Sequence, residues 1–180
     1  MKQIKALCFA LILVISTNVF AQNSYRDIPW GSSKNATRKI AIGYYGETFY
    51  ETESKLIFPD LFQGNDAVYT FFFQDDSLHT VAIKSELPYL LTDEESFSEM
   101  FNKSEKEINA LVDRISGKYG QAILNEQIGT DLFLRWEVDD TEIELFVERS
   151  YKYKILLTYR WIPFFERRRD IRQQQYQNEL

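Results

Sequence analysis

The chain has 180 residues, with 27 Asp and Glu against 21 Lys and Arg, one histidine and one cysteine. A net charge of −6 argues against nucleic-acid binding, which needs a concentrated basic surface, and a lone histidine excludes a site built on two imidazoles. The length fits one domain, or two small units sharing a core.

Residues 1–21 read as a signal peptide. Lys2 and Lys5 precede the apolar run Ala6 to Ile15, then polar Ser16-Thr17-Asn18, then Val19-Phe20-Ala21 with small side chains where a signal peptidase reads. The run falls well short of the roughly 20 residues that span a bilayer. Cleavage after Ala21 and soluble export are therefore expected, with the periplasm as the destination and secretion or the outer surface as alternatives. Cys8 lies too early to be a lipid acceptor, and with it removed the chain has no cysteine, so the core must supply the stability.

Asp27-Ile-Pro-Trp-Gly-Ser-Ser33 leads into a short helix capped by Ser32 or Ser33 and running to about Ala41, held by packing of Trp30, Ala36 and Ile40. Gly43 and Gly46 break the pattern, and Thr48 to Phe58 predicts a strand ended by Pro59. A hairpin follows, from Ala67 to Gln74 and from Leu78 to Lys84, turning at Asp75-Asp76. Phe71, Phe72 and Phe73 are consecutive, so its register stays open: a bulge near the turn would place either Leu78, or Val81 and Ile83, inward.

Thr92 with Glu95 and Ser104 with Glu107 each form a capping box. The stripe Phe97, Met100, Phe101, Ser104, Ile108, Leu111, Val112, Ile115 and Tyr119 continues through both, as one helix or as two with a joint at Asn102-Lys103. Gly120 is the stop. Gln121 to Gln127 reads as a strand, Ile128-Gly129-Thr130 as a turn, and Leu132, Leu134 and Trp136 alternate along the next strand.

The clearest element is Thr141 to Trp161, a hairpin whose apolar face carries Ile143, Leu145, Val147, Tyr153, Ile155, Leu157, Tyr159 and Trp161. Keeping that face together places Glu142 opposite Arg160, Glu148 opposite Lys154 and Phe146 opposite Leu156; a one-residue slip would turn the apolar row to water. The tail, Pro163 to Leu180, is basic and Gln-rich, and a helix fraying at its end is expected there.

The predicted fold class is α+β: two helix-plus-antiparallel-sheet units, α-β-β-β then α-β-β-β-β, with a C-terminal tail helix. The expected organisation is a signal peptide over 1–21, one domain over 22–162 made of similar units at about 27–85 and 92–162, and the tail over 163–180.

The motifs Pro29-Trp30-Gly31-Ser32-Ser33 and Lys118-Tyr119-Gly120, with Phe73-Gln-Asp-Asp-Ser-Leu78 and the strand bearing Trp136, resemble a group of small exported bacterial proteins of uncharacterised function. The resemblance covers most of 27–161 and implies a periplasmic or surface location and an α+β fold, with no activity to carry over. Asn35-Ala36 and the Arg-rich tail depart from the group's pattern.

Chemistry is sparse. His79 beside Asp75 and Asp76 reads as an ordinary strand residue. The acidic pairs lack calcium-loop spacing, and no cysteine is available for a zinc site, so no catalytic residue, metal or cofactor is expected. Gly43-Tyr-Tyr-Gly46 lacks the lysine of a phosphate loop.

Two interaction surfaces stand out instead. Tyr44, Tyr45, Phe49 and Tyr50 surround a glycine-flanked loop suited to stacking on sugars or peptides. Trp161, Phe164 and Phe165 with Arg167, Arg168, Arg169 and Arg172 suit anionic headgroups or a partner protein. These point to a non-enzymatic envelope binding or interaction module whose partner is an envelope protein or polymer. The alternatives are an envelope-polymer hydrolase using carboxylates, and a membrane-peripheral protein anchored by its tail.

Overall fold

The computed structural model describes residues 24–47, 50–87, 97–150 and 153–178. The signal-peptide segment 1–21, Phe49 and the Thr92–Glu95 capping box lie outside the described residues.

A two-residue pair, β1 (Ser24–Tyr25) and β2 (Ile28–Pro29), leads into helix α1 (Lys34–Tyr45). Strands β3 (Tyr50–Glu51), β4 (Lys55–Phe62), β5 (Asn65–Gln74) and β6 (Ser77–Glu86) follow. Helix α2 (Phe97–Tyr119) then precedes β7 (Leu124–Ile128), β8 (Asp131–Val138), β9 (Thr141–Arg149) and β10 (Tyr153–Trp161), and helix α3 (Ile162–Asn178) closes the chain. The fold is α+β. Strands β3 to β10 form one antiparallel sheet in the order β3-β4-β5-β6-β10-β9-β8-β7, so β6 and β10 join the two halves into a continuous surface.

One face of that sheet is the core. Across it run Phe58 and Leu56, Tyr69 and Phe71, Ile83 and Val81, then Leu157, Leu145 and Leu134, paired strand to strand and almost wholly buried. Period-two alternation on every strand puts these side chains on one side. Both α1 and α2 pack there, α1 through Thr37, Ala41 and Tyr45 and α2 through Ile108, Leu111 and Ile115, each set spaced by three or four residues. Trp136, fully buried, donates its Nε1–H to the Gly120 carbonyl at 3.1 Å and ties the end of α2 to β8.

The Pro-Trp-Gly entry works by backbone docking. Gly31 N–H donates to Leu78 O and Leu78 N–H to Ser32 O, both at 2.9 Å, stitching the lead-in of α1 to the start of β6. Gly31 holds φ at 77°, and a Cβ there would stand 3.4 Å from the Trp161 ring, so glycine suits the position on both counts.

The terminal hairpin has the predicted register: Glu142 faces Arg160, Glu148 faces Lys154 and Phe146 faces Leu156. In the β5–β6 hairpin a bulge satisfies both readings at once. Phe72 pairs with Thr80 and Phe73 with Leu78, leaving His79 as the extra residue, so Leu78, Val81 and Ile83 are all buried. Asp75 and Asp76 turn with φ of 52° and 53°, the left-handed geometry of a tight two-residue hairpin loop.

Several boundaries differ from expectation. Helix α1 passes Ala41 and Gly43 to Tyr45, because Gly46 at φ 76° donates its N–H to Ile42 O and closes the helix. Its buried stripe is Thr37, Ala41 and Tyr45, while Ala36 is exposed. The predicted Thr48–Phe58 strand is divided into β3 and β4. Pro59 does not end β4, which runs on to Phe62 with Pro59 paired opposite Val68 of β5. Helix α2 is continuous through Asn102-Lys103, which leaves Ser104 inside it rather than at a cap. Strand β7 begins at Leu124 and takes in Ile128, leaving Gly129-Thr130 as the turn.

Candidate functional site

Helix α1 lies over β4 and β6 and α2 over β8, and between the end of α2 and the β1–β2 turn stand residues of β5, β6, β9 and β10. A cleft of about 400 Å³ opens there. Tyr159 forms its floor with Ile83 and Ile143 buried beneath, and the rings of Tyr25, Tyr69 and Tyr119 border it. The first half contributes Arg26 to the rim through the β1–β2 turn, and the second contributes Lys118 from the end of α2.

Most hydroxyls in this wall are already engaged. Tyr25 and Tyr45 share a hydrogen bond of 3.2 Å, and Tyr69 donates to Leu61 O at 3.1 Å. Thr141 Oγ1 accepts from Trp30 Nε1 at 2.9 Å. Burial holds the phenols of Tyr25 and Tyr159 well above the usual tyrosine range and pushes Tyr45 up to about 12, so all three are neutral at ordinary pH.

Arg26 adopts φ 55°, a turn conformation that carries its guanidinium over aromatic faces: 5.1 Å from the Tyr45 ring centroid, 5.3 Å from Tyr44, 5.9 Å from Tyr25 and 6.0 Å from Tyr69. Lys118 Nζ stands 4.8 Å from the Tyr119 centroid. Neither cation has a carboxylate within ion-pair distance among the described residues, and no Asp or Glu lines the cleft. The arrangement can hold a ligand by stacking and charge, and it contains no acid–base pair.

The sequence-predicted residues fall in two separate places. Tyr44 is exposed, donates to Asp27 and flanks Arg26 at the cleft's edge. Tyr45 is a core residue packed on Phe58 and Tyr69, and Tyr50 is exposed on the edge strand β3. The tail group lies elsewhere. Phe164 stacks on His79, Arg167 lies over Trp161 at 5.6 Å, and Arg168 lies over Phe164 at 5.3 Å with Asp75 Oδ2 3.6 Å away. Phe165 and Arg169 border a groove with Glu142 and Arg160, and Arg172 is exposed. Phe164, Phe165 and Arg168 are therefore engaged in seating α3 on the bulge and turn of the β5–β6 hairpin.

Tyr25, Arg26, Tyr69, Lys118, Tyr119 and Tyr159 are the site residues that sequence reasoning missed. Lys118-Tyr119 drew notice only as a helix end, and nothing local ties it to residues 24–26.

Other features carry less chemistry. A larger, open groove of about 700 Å³ lies along Leu61, Val68 and Lys84 and ends at Leu87, where the described segment stops. The sheet's outer face bears Phe133, Phe146 and Leu156 beside the Glu142–Arg160 and Glu148–Lys154 pairs. Among the described residues, no three His, Cys, Asp or Glu side chains gather as a metal site requires. No described helix is long and apolar enough to cross a membrane.

No family model and no curated protein matches the chain. Among solved structures, a DUF4309 family protein (YjgB) from Bacillus subtilis subsp. subtilis str. 168 is similar at a TM-score of 0.38 and 7% identity, over 72% of this chain and 78% of that chain. Likeness at that level carries no argument about function.

Proposed function

We propose that the protein is a non-enzymatic, exported binding module of the bacterial envelope, working in the periplasm, and that it holds a small ligand in the cleft between its halves. On this reading residues 27–85 and 92–162 are two similar helix-plus-sheet units of one domain, and the ligand lies where they meet. The observation that carries the reading is a concave, tyrosine-walled space of about 400 Å³ with no carboxylate in its lining. That volume falls within the range of small-molecule sites, which combine aromatic walls with a few polar groups. The same observation disfavours a hydrolase, whose paired carboxylates would have to face the bound substrate. Export rests on the leader at residues 1–21.

A thermal-shift screen of the purified protein tests this against aromatic acids, oligosaccharides and short peptides. One class should raise the melting temperature in proportion to the logarithm of its concentration. A flat response to all three, or turnover of any of them, contradicts the proposal.

A further inference from the structure

We infer that the ligand of this cleft is a small anion with an aromatic body, its charge held by Arg26 from one half and Lys118 from the other. This rests on the cleft being a binding site and adds the chemical class of what it binds.

The wall leaves little hydroxyl capacity unused. The hydroxyls of Tyr25 and Tyr69 are each engaged within the protein. A neutral sugar, which needs many free donors and acceptors, would therefore find few. What the site offers instead is ring faces and two cations, Arg26 stacked among tyrosines and Lys118 over Tyr119. The guanidinium and the ammonium lie at the surface with no carboxylate within ion-pair distance among the described residues, Asp60 acting on Arg26 only from farther off, and they favour an anion because charge-assisted hydrogen bonds are roughly twice as strong as neutral ones. The rings add stacking for a flat apolar body. In a chain of net charge −6 the two cations stand against the overall field, so a preference for an anion must come from the cleft itself.

The two sources of affinity separate with a matched pair of fluorescent probes. One is 8-anilinonaphthalene-1-sulfonate. The other is N-phenyl-1-naphthylamine, which has the same aromatic body without the sulfonate. The sulfonate probe should bind at least about tenfold more tightly than its neutral twin, the usual worth of a charge-assisted contact. The double substitution Arg26→Gln with Lys118→Gln should remove that advantage, bringing the affinities of the two probes to within about twofold of each other. Both side chains lie at the surface, so an unchanged melting temperature confirms that the variant is folded. Equal binding of both probes in the cleft, or sulfonate binding that ignores the double substitution, overturns the anion assignment but leaves the cleft as a binding site. If neither probe binds, the binding reading fails as well.

Discussion

His79 and Phe164 lie face to face, their ring centroids 4.5 Å apart and their planes 8° from parallel. His79 is the extra residue of the β6 bulge, and the displaced imidazole becomes the surface on which the first turn of α3 rests. Phe165 completes the contact edge-on, 5.7 Å from His79. Phe164→Ala should therefore cost about 1–2 kcal/mol, the loss of a half-buried ring and one aromatic pair. Hydrogen exchange should accelerate in α3 before it does in β6. Uniform acceleration across the sheet would mean that α3 is not an independently seated element.

The same contact predicts a pH dependence. Burial, and secondarily the Arg168 guanidinium, hold the His79 pKa below its ordinary value of 6.5. The unfolded chain thus takes up a proton more readily than the folded one. His79 contributes stability that is fully present above pH 6.5 and is lost as pH falls through that value toward the folded pKa. Denaturation midpoints at about pH 7.5 and about pH 5 should differ less in His79→Gln than in the parent. An equal difference in both would show that His79 is not a source of the acid sensitivity.

Glu105 joins α2 to the far end of the β9–β10 hairpin. Its carboxylate receives Arg149 Nε at 2.7 Å and Nη2 at 3.0 Å, and the Tyr153 hydroxyl at 3.1 Å. Three bonds converge on one half-buried carboxylate, so Glu105→Ala should cost about 1–3 kcal/mol in urea unfolding. Tyr153→Phe should cost about 1 kcal/mol or less. By contrast, Lys154→Ala, which removes a more exposed pair with Glu148, should fall within about 0.5 kcal/mol of the parent.

Trp136 provides the largest expected effect. Its ring is fully buried beneath the end of α2, and its Nε1–H reaches the Gly120 carbonyl. Trp136→Ala should cost about 3–5 kcal/mol, and Trp136→Phe considerably less, because the ring volume is mostly kept and the freed carbonyl lies at an exposed glycine. Similar midpoints for the two variants would place the stabilisation in the hydrogen bond rather than in the buried ring.

The terminal hairpin was legible in the chain because an alternating apolar row and charges that pair across strands admit one register, and Glu142 does face Arg160. The β5–β6 hairpin was half legible. Three consecutive phenylalanines hide the phase, and only the unpaired His79 reconciles Leu78 with Val81. Pro59 misled because proline removes only its own ladder donor, and β4 continues past it against β5 to Phe62. The cleft was not legible at all. Its residues come from the β1–β2 turn, β5, the end of α2 and β10, and they meet only because β10 pairs with β6, Leu157 beside Ile83. That pairing joins distant segments, and alternation within a strand names its buried face without naming its neighbour. Arg26 gave no signal of its own, since its role comes from a left-handed turn that lays it over aromatic rings.

The central claim is that a ligand sits between the halves over Ile83 and Ile143, and isoleucine methyl NMR reports on that place directly. Titration with 8-anilinonaphthalene-1-sulfonate should shift the methyls of Ile83 and Ile143, which border the cleft, and leave Ile57 on the outer face and Ile108 on the buried side of α2 unmoved. Perturbation confined to Ile57 and its neighbours on the outer face, with Ile83 and Ile143 unchanged at saturating probe, would contradict it.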